Sequence, residues 1–545
     1  MRVTLGAAAL AVCLCLMSPR TARSWRVDLP GSGGGPSQAN VVAVDALGDV
    51  IVCGEAAASD GFRDFAVVKL TGAGGGIVWT RVFRTAAQDG RCQSIAIDHS
   101  GDVFVAGLVP QAIGASGVTV AKLAGQSGSV LWRRDENTSD PTAGYVVVND
   151  VGDALVGYTR QTSTRFAVLS EANFVRYDGV TGMPIWRWTP QTGVDGLQGG
   201  VSAVTLGVSG DLLAGTYYYE AFSLDPLAGG GYGRVSAATG VPVLSWNPPF
   251  FEGAWSGPAH VRIDGAGGVV AAGAAYHRMQ PGSEFGVART DEATGTTGWA
   301  RTIAALAGQY HHANDVVGLP GGDVVAVGLL IDATGGKSGA VRLASADGAE
   351  IWRAASVVGE AQAVALDAGS DLIVTGALRD HADLRTGFGV AKLSAADGSE
   401  SWRTVLAGAA APDGERGLAL ANGLGGTVIA AGWTGMTASR QLTVVTLDAA
   451  TGISSAPIAP LCASGVPLHA ASVAVAARSL VDGSASIKAN LPFAAGSPAT
   501  VDPSTQGIQV RVEDVGAGLA QVVDLSDASQ PIPPGAAPTP RGRAR

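Results

Sequence analysis

A chain of 545 residues with a net charge of −10, 78 glycines, 15% charged and 6% aromatic residues has room for several small domains or one long repeat array. Its 47% hydrophobic content excludes a disordered chain, and a glycine share well above the roughly 7% average calls for many tight turns and few long helices. An acidic chain with no basic run before its last few residues argues against nucleic acid as a partner.

The first element is a leader. Arg2 precedes a short apolar run, Leu5 to Met17, too short to span a bilayer comfortably. Ala22-Arg23-Ser24 offers small residues for a cleavage after Ser24, so residues 1–24 read as a bacterial-type signal peptide and the mature chain as secreted or periplasmic. A lipid anchor at Cys13 is the weaker alternative. Removing Arg2, Arg20 and Arg23 takes the net charge from −10 to −13. No later segment has the length of a transmembrane helix. Cys53, Cys92 and Cys462 remain; the number is odd, so at least one stays unpaired within the chain, and the pattern is not that of a disulfide scaffold.

Next comes a repeat. Val42-Ala43-Val44-Asp45-Ala46-Leu47-Gly48-Asp49-Val50-Ile51-Val52-Cys53-Gly54 recurs from Ile95 to Gly107, and again around Asp153, Asp211, Gly268, Asp323, Asp371 and Thr427. Each copy is two alternating apolar runs joined by a tight turn, which predicts a β-hairpin. A second hairpin follows. Its first arm ends in a basic residue (Lys69, Lys122, Arg176, Arg234, Arg289, Arg342, Lys392), expected to be solvated or paired, and its second arm carries Trp. Four short strands, A to D, per unit of about 50 residues fit a propeller blade.

Seven units carry that Trp: Trp79, Trp132, Trp186, Trp246, Trp299, Trp352 and Trp402. The eighth has Ala456 instead, and Trp25 lies one repeat length before Trp79. The expectation is an all-β, eight-bladed propeller over residues 25–456, in which the N-terminal segment supplies strand D of the last blade. The eight Trp are expected to dock blade on blade.

The second hairpin, as in Arg289-Thr290-Asp291-Glu292-Ala293-Thr294-Gly295-Thr296-Thr297-Gly298-Trp299, resembles the tryptophan-docking repeat of the pyrroloquinoline quinone (PQQ) enzyme propellers. The first hairpin with Phe65-Ala66-Val67-Val68-Lys69-Leu70 also resembles the bacterial "seven-bladed β-propeller" (SBBP) repeat. The resemblance implies the blade architecture. Its catalytic members carry a vicinal Cys-Cys pair, which this chain lacks, beside the quinone. Its other members are non-catalytic envelope scaffolds, and fold analogy cannot choose between them.

Chemistry-bearing motifs do not decide the matter. There is no Gly-x-Ser-x-Gly elbow, His-Glu-x-x-His helix or EF-hand loop. His311-His312 would point to opposite faces of a strand and make a poor chelate. The reading is a non-catalytic binding or scaffold module, a monomer with no cofactor and no metal; the alternative is a quinoprotein-like dehydrogenase or other propeller enzyme.

The repeat is stretched at blades 4 and 5. The extra length is assigned to the B–C loop holding Tyr217, Tyr218, Tyr219 and Phe222 and to the D–A loop holding Phe250, Phe251 and Trp255. B–C and D–A loops leave an antiparallel blade on one face, where Tyr276 and Tyr310 are also expected. That face is the candidate site for a protein, peptide or glycan.

After about residue 457 the repeat stops. Val473–Ala476, Ser484–Pro492 and Gly507–Val512 read as strands of a small β appendage spanning 457–525, and residues 526–545 as a disordered Pro/Gly/Arg tail.

Overall fold

The computed structural model describes residues 24–453 apart from 32–33, 85–88, 110–116, 138–143, 164–167, 190–196, 221–227, 245–253, 265, 278–281, 304–307, 332–336, 355–358, 382–385 and 407–414. It also describes 472–476, 486–490, 509–514 and 519–524.

Strand β1 (Arg26–Leu29) precedes blade 1, which is β2 (Ser37–Val44), β3 (Val50–Ala57), β4 (Arg63–Leu70) and β5 (Ile77–Phe83). Blade 2 is β6 (Arg91–Ile97), β7 (Val103–Leu108), β8 (Gly117–Leu123) and β9 (Val130–Asn137). Blade 3 is β10 (Gly144–Val148), β11 (Ala154–Ser163), β12 (Val168–Tyr177) and β13 (Pro184–Trp188). Blade 4 is β14 (Leu197–Leu206), β15 (Leu212–Glu220), β16 (Ala228–Val235) and β17 (Pro242–Leu244). Blade 5 is β18 (Ala254–Ile263), β19 (Gly268–His277), β20 (Glu284–Asp291) and β21 (Thr297–Ile303). Blade 6 is β22 (His312–Gly318), β23 (Val324–Ile331), β24 (Lys337–Leu343) and β25 (Glu350–Arg353), and blade 7 is β26 (Gly359–Leu366), β27 (Leu372–Arg379), β28 (Thr386–Leu393) and β29 (Glu400–Val405). Blade 8 is β30 (Arg416–Asn422), β31 (Thr427–Thr434) and β32 (Gln441–Asp448), and its fourth strand is β1.

Blades 1 to 7 are four-stranded antiparallel sheets in chain order, blade 8 has the order β1-β32-β31-β30, and the eight form a closed β-propeller. In blade 8, Arg26 pairs with Val445 and Leu29 with Leu442. The first strands of successive blades touch one another all the way round, β30 against β2 included, so strand A is innermost.

The local sequence explains the blade. Asp45 Oδ1 accepts the N–H groups of Leu47 and Asp49, both at 2.9 Å, which folds the A–B turn; Gly48 takes the positive φ that the turn requires. The glycine closing each first hairpin has a second cause. Strand A carries a β-bulge between Ala39 and Val41, and a Cβ on Gly54 opposite would come 2.0 Å from the Gln38 carbonyl. Gly107, Gly328, Gly376 and Gly432 sit against equivalent bulges.

Core clusters lie between blades rather than inside them. Val50, Val52 and Leu70 of blade 1 pack with Trp25, Ile429 and Val444 of blade 8, and Ile51, Cys53 and Phe65 pack with Cys92, Val103 and Val105 of blade 2. Cys53 and Cys92, both fully buried, form a disulfide across the blade 1–2 seam.

Beyond residue 455 a second unit is distinguished, in which β33 (Ser472–Ala476) pairs with β34 (Ser486–Asn490) and β35 (Gln509–Asp514) with β36 (Leu519–Asp524). The tail at 526–545 lies outside the described residues.

Candidate functional site

The repeated basic residue and the repeated Trp turn out to share one target. Lys69 Nζ donates to Gly125 O at 3.0 Å, and so does Trp79 Nε1, also at 3.0 Å; Gly125 belongs to the C–D turn of the next blade. Lys122 and Trp132 meet at Gly179 O, Arg176 and Trp186 at Ala237 O, and Arg342 and Trp352 at Ala395 O. Trp299 donates to Ser345 O, Trp402 to Ala449 O, and Trp25 to Gly72 O across the closing seam. Trp246 lies outside the described residues.

The basic residue is therefore not solvated. Lys69 is only 4% exposed and is held by Asp45 at 2.7 Å and Asp49 at 3.4 Å. Asp49 Oδ1 in turn accepts the Gly72 N–H, which ties the A–B turn to the C–D turn. The indole ring lies over the turn glycine of the next blade: a Cβ on Gly128 would meet Trp79 at 2.6 Å. Each of these residues thus has a structural task on the face of regular turns.

The opposite face differs. Tyr217, Tyr218 and Tyr219 do not lie in a loop. They continue β15, opposite Gly200, Gly199 and Gln198 on one side and Gly230, Gly229 and Ala228 on the other. Trp255 and Tyr276 are likewise strand residues and stand directly opposite each other in the β18–β19 pair. In blades 4 and 5 these residues belong to long hairpins, where glycine-flanked extended chain keeps its ladder going. Phe222, Phe250 and Phe251 lie outside the described residues.

Tyr310 is placed beside the blade 5 B–C connection, as expected. It bridges to Ser283, with Ser283 N donating to Gln309 O and His311 N to Ser283 O, each at 3.0 Å, and Ser283 Oγ to His311 O at 2.7 Å. The His311 ring is buried, and its Nδ1 accepts the Ile331 N–H at 3.1 Å. Between these braces the Tyr310 side chain is 64% exposed.

His312 turns elsewhere. Its Nε2 donates to Glu360 Oε1 at 3.3 Å, and this bond holds the Glu360 carboxyl below the usual range; Arg416 stands 3.7 Å from the other oxygen. Nearby on the innermost strands, Asp315 is buried with His260 Nδ1 and Arg262 Nη2 each 3.3 Å away. Burial pushes the Asp315 carboxyl up, but Arg262, His260 and the N–H groups of Val364 and Val316 outweigh it and keep the group ionised. The His260 imidazolium is pushed down by the surrounding protein, although 45% of its side chain stays open. Sequence reading missed these residues because each occupies a strand-A position that varies from blade to blade. Among the described residues no three His, Cys, Asp or Glu side chains converge as a metal site.

Fold and seams together define a closed, eight-bladed β-propeller with its last blade completed by the N-terminal strand. No family model matches the sequence, and no curated protein matches it. Solved structures do resemble it. BamB from Moraxella catarrhalis is 13% identical over 77% of this chain and 98% of that one, with a TM-score of 0.43. The quinohemoprotein alcohol dehydrogenase from Comamonas testosteroni is 13% identical over 80% and 77%, TM-score 0.46, and that named ADHIIG from Pseudomonas putida HK5 is 12% identical over 80% and 77%, TM-score 0.47. Matches this distant carry no argument about function.

Proposed function

We propose that the chain is a secreted or periplasmic, non-catalytic propeller that binds a protein, peptide or glycan on the face carrying its B–C and D–A connections at blades 4 and 5. The observation that supports this most is Tyr310, an aromatic ring held out in solvent by main-chain bonds on both sides rather than by a loose loop. An exposed ring on a braced main chain leaves less backbone entropy to lose on binding, which suits a recognition surface. Trp255 opposite Tyr276, and Tyr217 to Tyr219 on the neighbouring extended hairpin, supply further aromatic residues in blades 4 and 5. The buried Cys53–Cys92 bridge supports export, because structural disulfides belong to oxidising compartments. No helix of the described residues is long and apolar enough to cross a membrane.

The test uses Tyr310→Ala and the pair Tyr218→Ala with Phe251→Ala, set against Trp132→Ala, on a glycan array and on immobilised envelope proteins. The loop-face variants are expected to keep the wild-type melting temperature and to lose retention, and Trp132→Ala to lose stability first. Loop-face variants that melt as early as Trp132→Ala and bind unchanged would make these aromatics core filler. The quinoprotein alternative has no observation in its favour: the described disulfide joins residues 39 apart, not neighbours. Titration with PQQ and calcium is expected to give no saturable shift in melting temperature.

A further inference from the structure

The innermost strands wall the central channel of the propeller, and that wall is not uniform. In every blade but the third, a β-bulge near the start of strand A inserts one extra residue at the same place. In blades 1 and 6 this residue is Asn40 and Asn314, whose Nδ2 atoms donate across the seam to Cys92 O at 2.9 Å and to Ala361 O at 2.8 Å. In blade 4 it is Ser202 and in blade 5 Ala259. Ser202 Oγ is buried and has no hydrogen-bond partner among the described residues. Two residues before the bulge residue, blades 1, 6, 7 and 8 carry Gln38, His312, Glu360 and Arg416, but blades 4 and 5 carry Gly200 and Gly257. At the blade 4–5 seam the wall is therefore built from smaller residues than elsewhere.

Three residues past the bulge residue of blade 5 stands Arg262. In the other seven blades its register position holds Ala, Val or Thr, as with Ala43, Ala96, Val317 and Ala421. A residue in the middle of an innermost strand is exposed only to the channel, and the Arg262 side chain is 49% exposed and that of His260 45%. The acid beside them is already committed. Asp315 Oδ1 accepts the Val316 N–H at 2.9 Å and is shared by His260 Nδ1 and Arg262 Nη2, each 3.3 Å away, while Oδ2 accepts the Val364 N–H at 3.1 Å. Arg262 thus spends one of its five N–H groups on one long contact, and the others have no protein partner among the described residues.

We propose that the channel wall is recessed at the blade 4–5 seam and that the recess binds the carboxylate of an aliphatic ligand through Arg262. A guanidinium meets a carboxylate edge on with two parallel N–H···O bonds, and it has no acceptor to offer a cation. The Ser202 hydroxyl, which no protein group meets, is left for the same ligand. The Ala and Val positions level with Arg262 present aliphatic surface without polar groups, which suits a hydrocarbon chain behind the carboxylate better than the hydroxyls of a sugar. Such a chain ends in a carboxylate in a free organic acid or at the C-terminus of a peptide. The site goes beyond the aromatic face and does not depend on the exposed Tyr310 ring.

The test is calorimetric titration of the full chain with hexanoate and hexanamide, and with trialanine whose C-terminus is free or amidated. The free acids are expected to bind one per chain, at least about tenfold more tightly than the amides. Binding of hexanoate assigns the source as a free acid, and binding of trialanine alone assigns it as a peptide end; either supports the proposal. Arg262→Lys, which leaves Asp315 a cation but removes the fork, is expected to weaken binding about tenfold. Ser202→Asn, which fills the recess as Asn40 does in blade 1, is expected to abolish binding while the melting temperature holds or rises. Tyr310→Ala is expected to bind the acids as the wild type does. Acids and amides that bind alike, acids that do not bind the wild type, or a Ser202→Asn chain that binds as the wild type does would each overturn the proposal. None of these results touches the reading of the outer face, which stands or falls with the retention of envelope proteins and glycans by Tyr310→Ala.

Discussion

At the residue scale, the seams are held by a few side chains whose partners lie in the next blade. Glu136 of blade 2 shows this. Its carboxylate accepts Arg187 Nη1 and Nη2, each at 2.8 Å, and the Tyr177 hydroxyl, all from blade 3. Burial pushes the Glu136 carboxyl up, but the Arg187 and Tyr177 bonds outweigh it and hold the group below the usual range. A carboxylate lowered in the folded state stabilises above its ordinary value near 4.3 and loses that contribution as pH falls through the folded value. Melting temperature should therefore drop on acidification below about pH 5, and Glu136→Gln should flatten that part of the profile. The neighbouring Tyr158 hydroxyl is pushed up to about 12, chiefly by burial, so that group adds nothing to the acid part of the profile. Trp132→Ala removes a ring buried between Phe104 and Tyr177 and should cost about 3–5 kcal/mol, measured by denaturant unfolding.

At the element scale, the turns explain both what sequence showed and what it hid. The paired hairpins and the Trp spacing were legible because they recur eight times. The Lys/Arg partners were not, because Lys69 reaches Gly125, a carbonyl in the following repeat that carries no sequence signal. Tyr217, Tyr218, Tyr219 and Trp255 were assigned to loops on repeat length alone, which does not distinguish a longer loop from a longer ladder. One exchange between turns was equally hidden. Blade 4 has Gly207 where blades 1, 2, 5 and 7 have the first turn aspartate, and a Cβ there would come 2.2 Å from Glu292 Oε1 of blade 5. Glu292 Oε2 accepts the Val208 N–H at 3.0 Å, so a carboxylate from the next blade does the turn's work. Gly207→Asp should destabilise the wild type by about 1–3 kcal/mol through crowding and like charge, yet be tolerated with Glu292→Ala. A double-mutant cycle should show coupling above about 0.5 kcal/mol; additivity would remove the exchange.

At the scale of the whole molecule, the ring has one place where neighbouring strands are not consecutive in the chain, inside blade 8, between β32 and β1. There the β1–β32 ladder closes the blade, and the Trp25–Gly72, Leu442–Ser37 and Arg440–Gln38 bonds tie blade 8 to blade 1. The next seam is covalent. The Cys53–Cys92 bridge was not legible, since the two cysteines occupy different strands of their repeats. Closing a loop of 39 residues is worth about 4 kcal/mol in the chain-entropy account, so Cys53→Ser with Cys92→Ser should lower stability by an amount of that order, and mass analysis after alkylation should find both thiols protected in the exported protein.

The closure itself is tested most directly by removing β1. A chain lacking Ser24 to Leu29 leaves blade 8 with three strands and an open edge, and loses the Trp25 ring from the core it shares with Val50, Val52 and Leu70. Its melting temperature should fall well below that of a control lacking six residues of the C-terminal tail, with a stability loss of at least about 3–5 kcal/mol. Equal melting temperatures for the two deletions would contradict a propeller closed through its eighth blade.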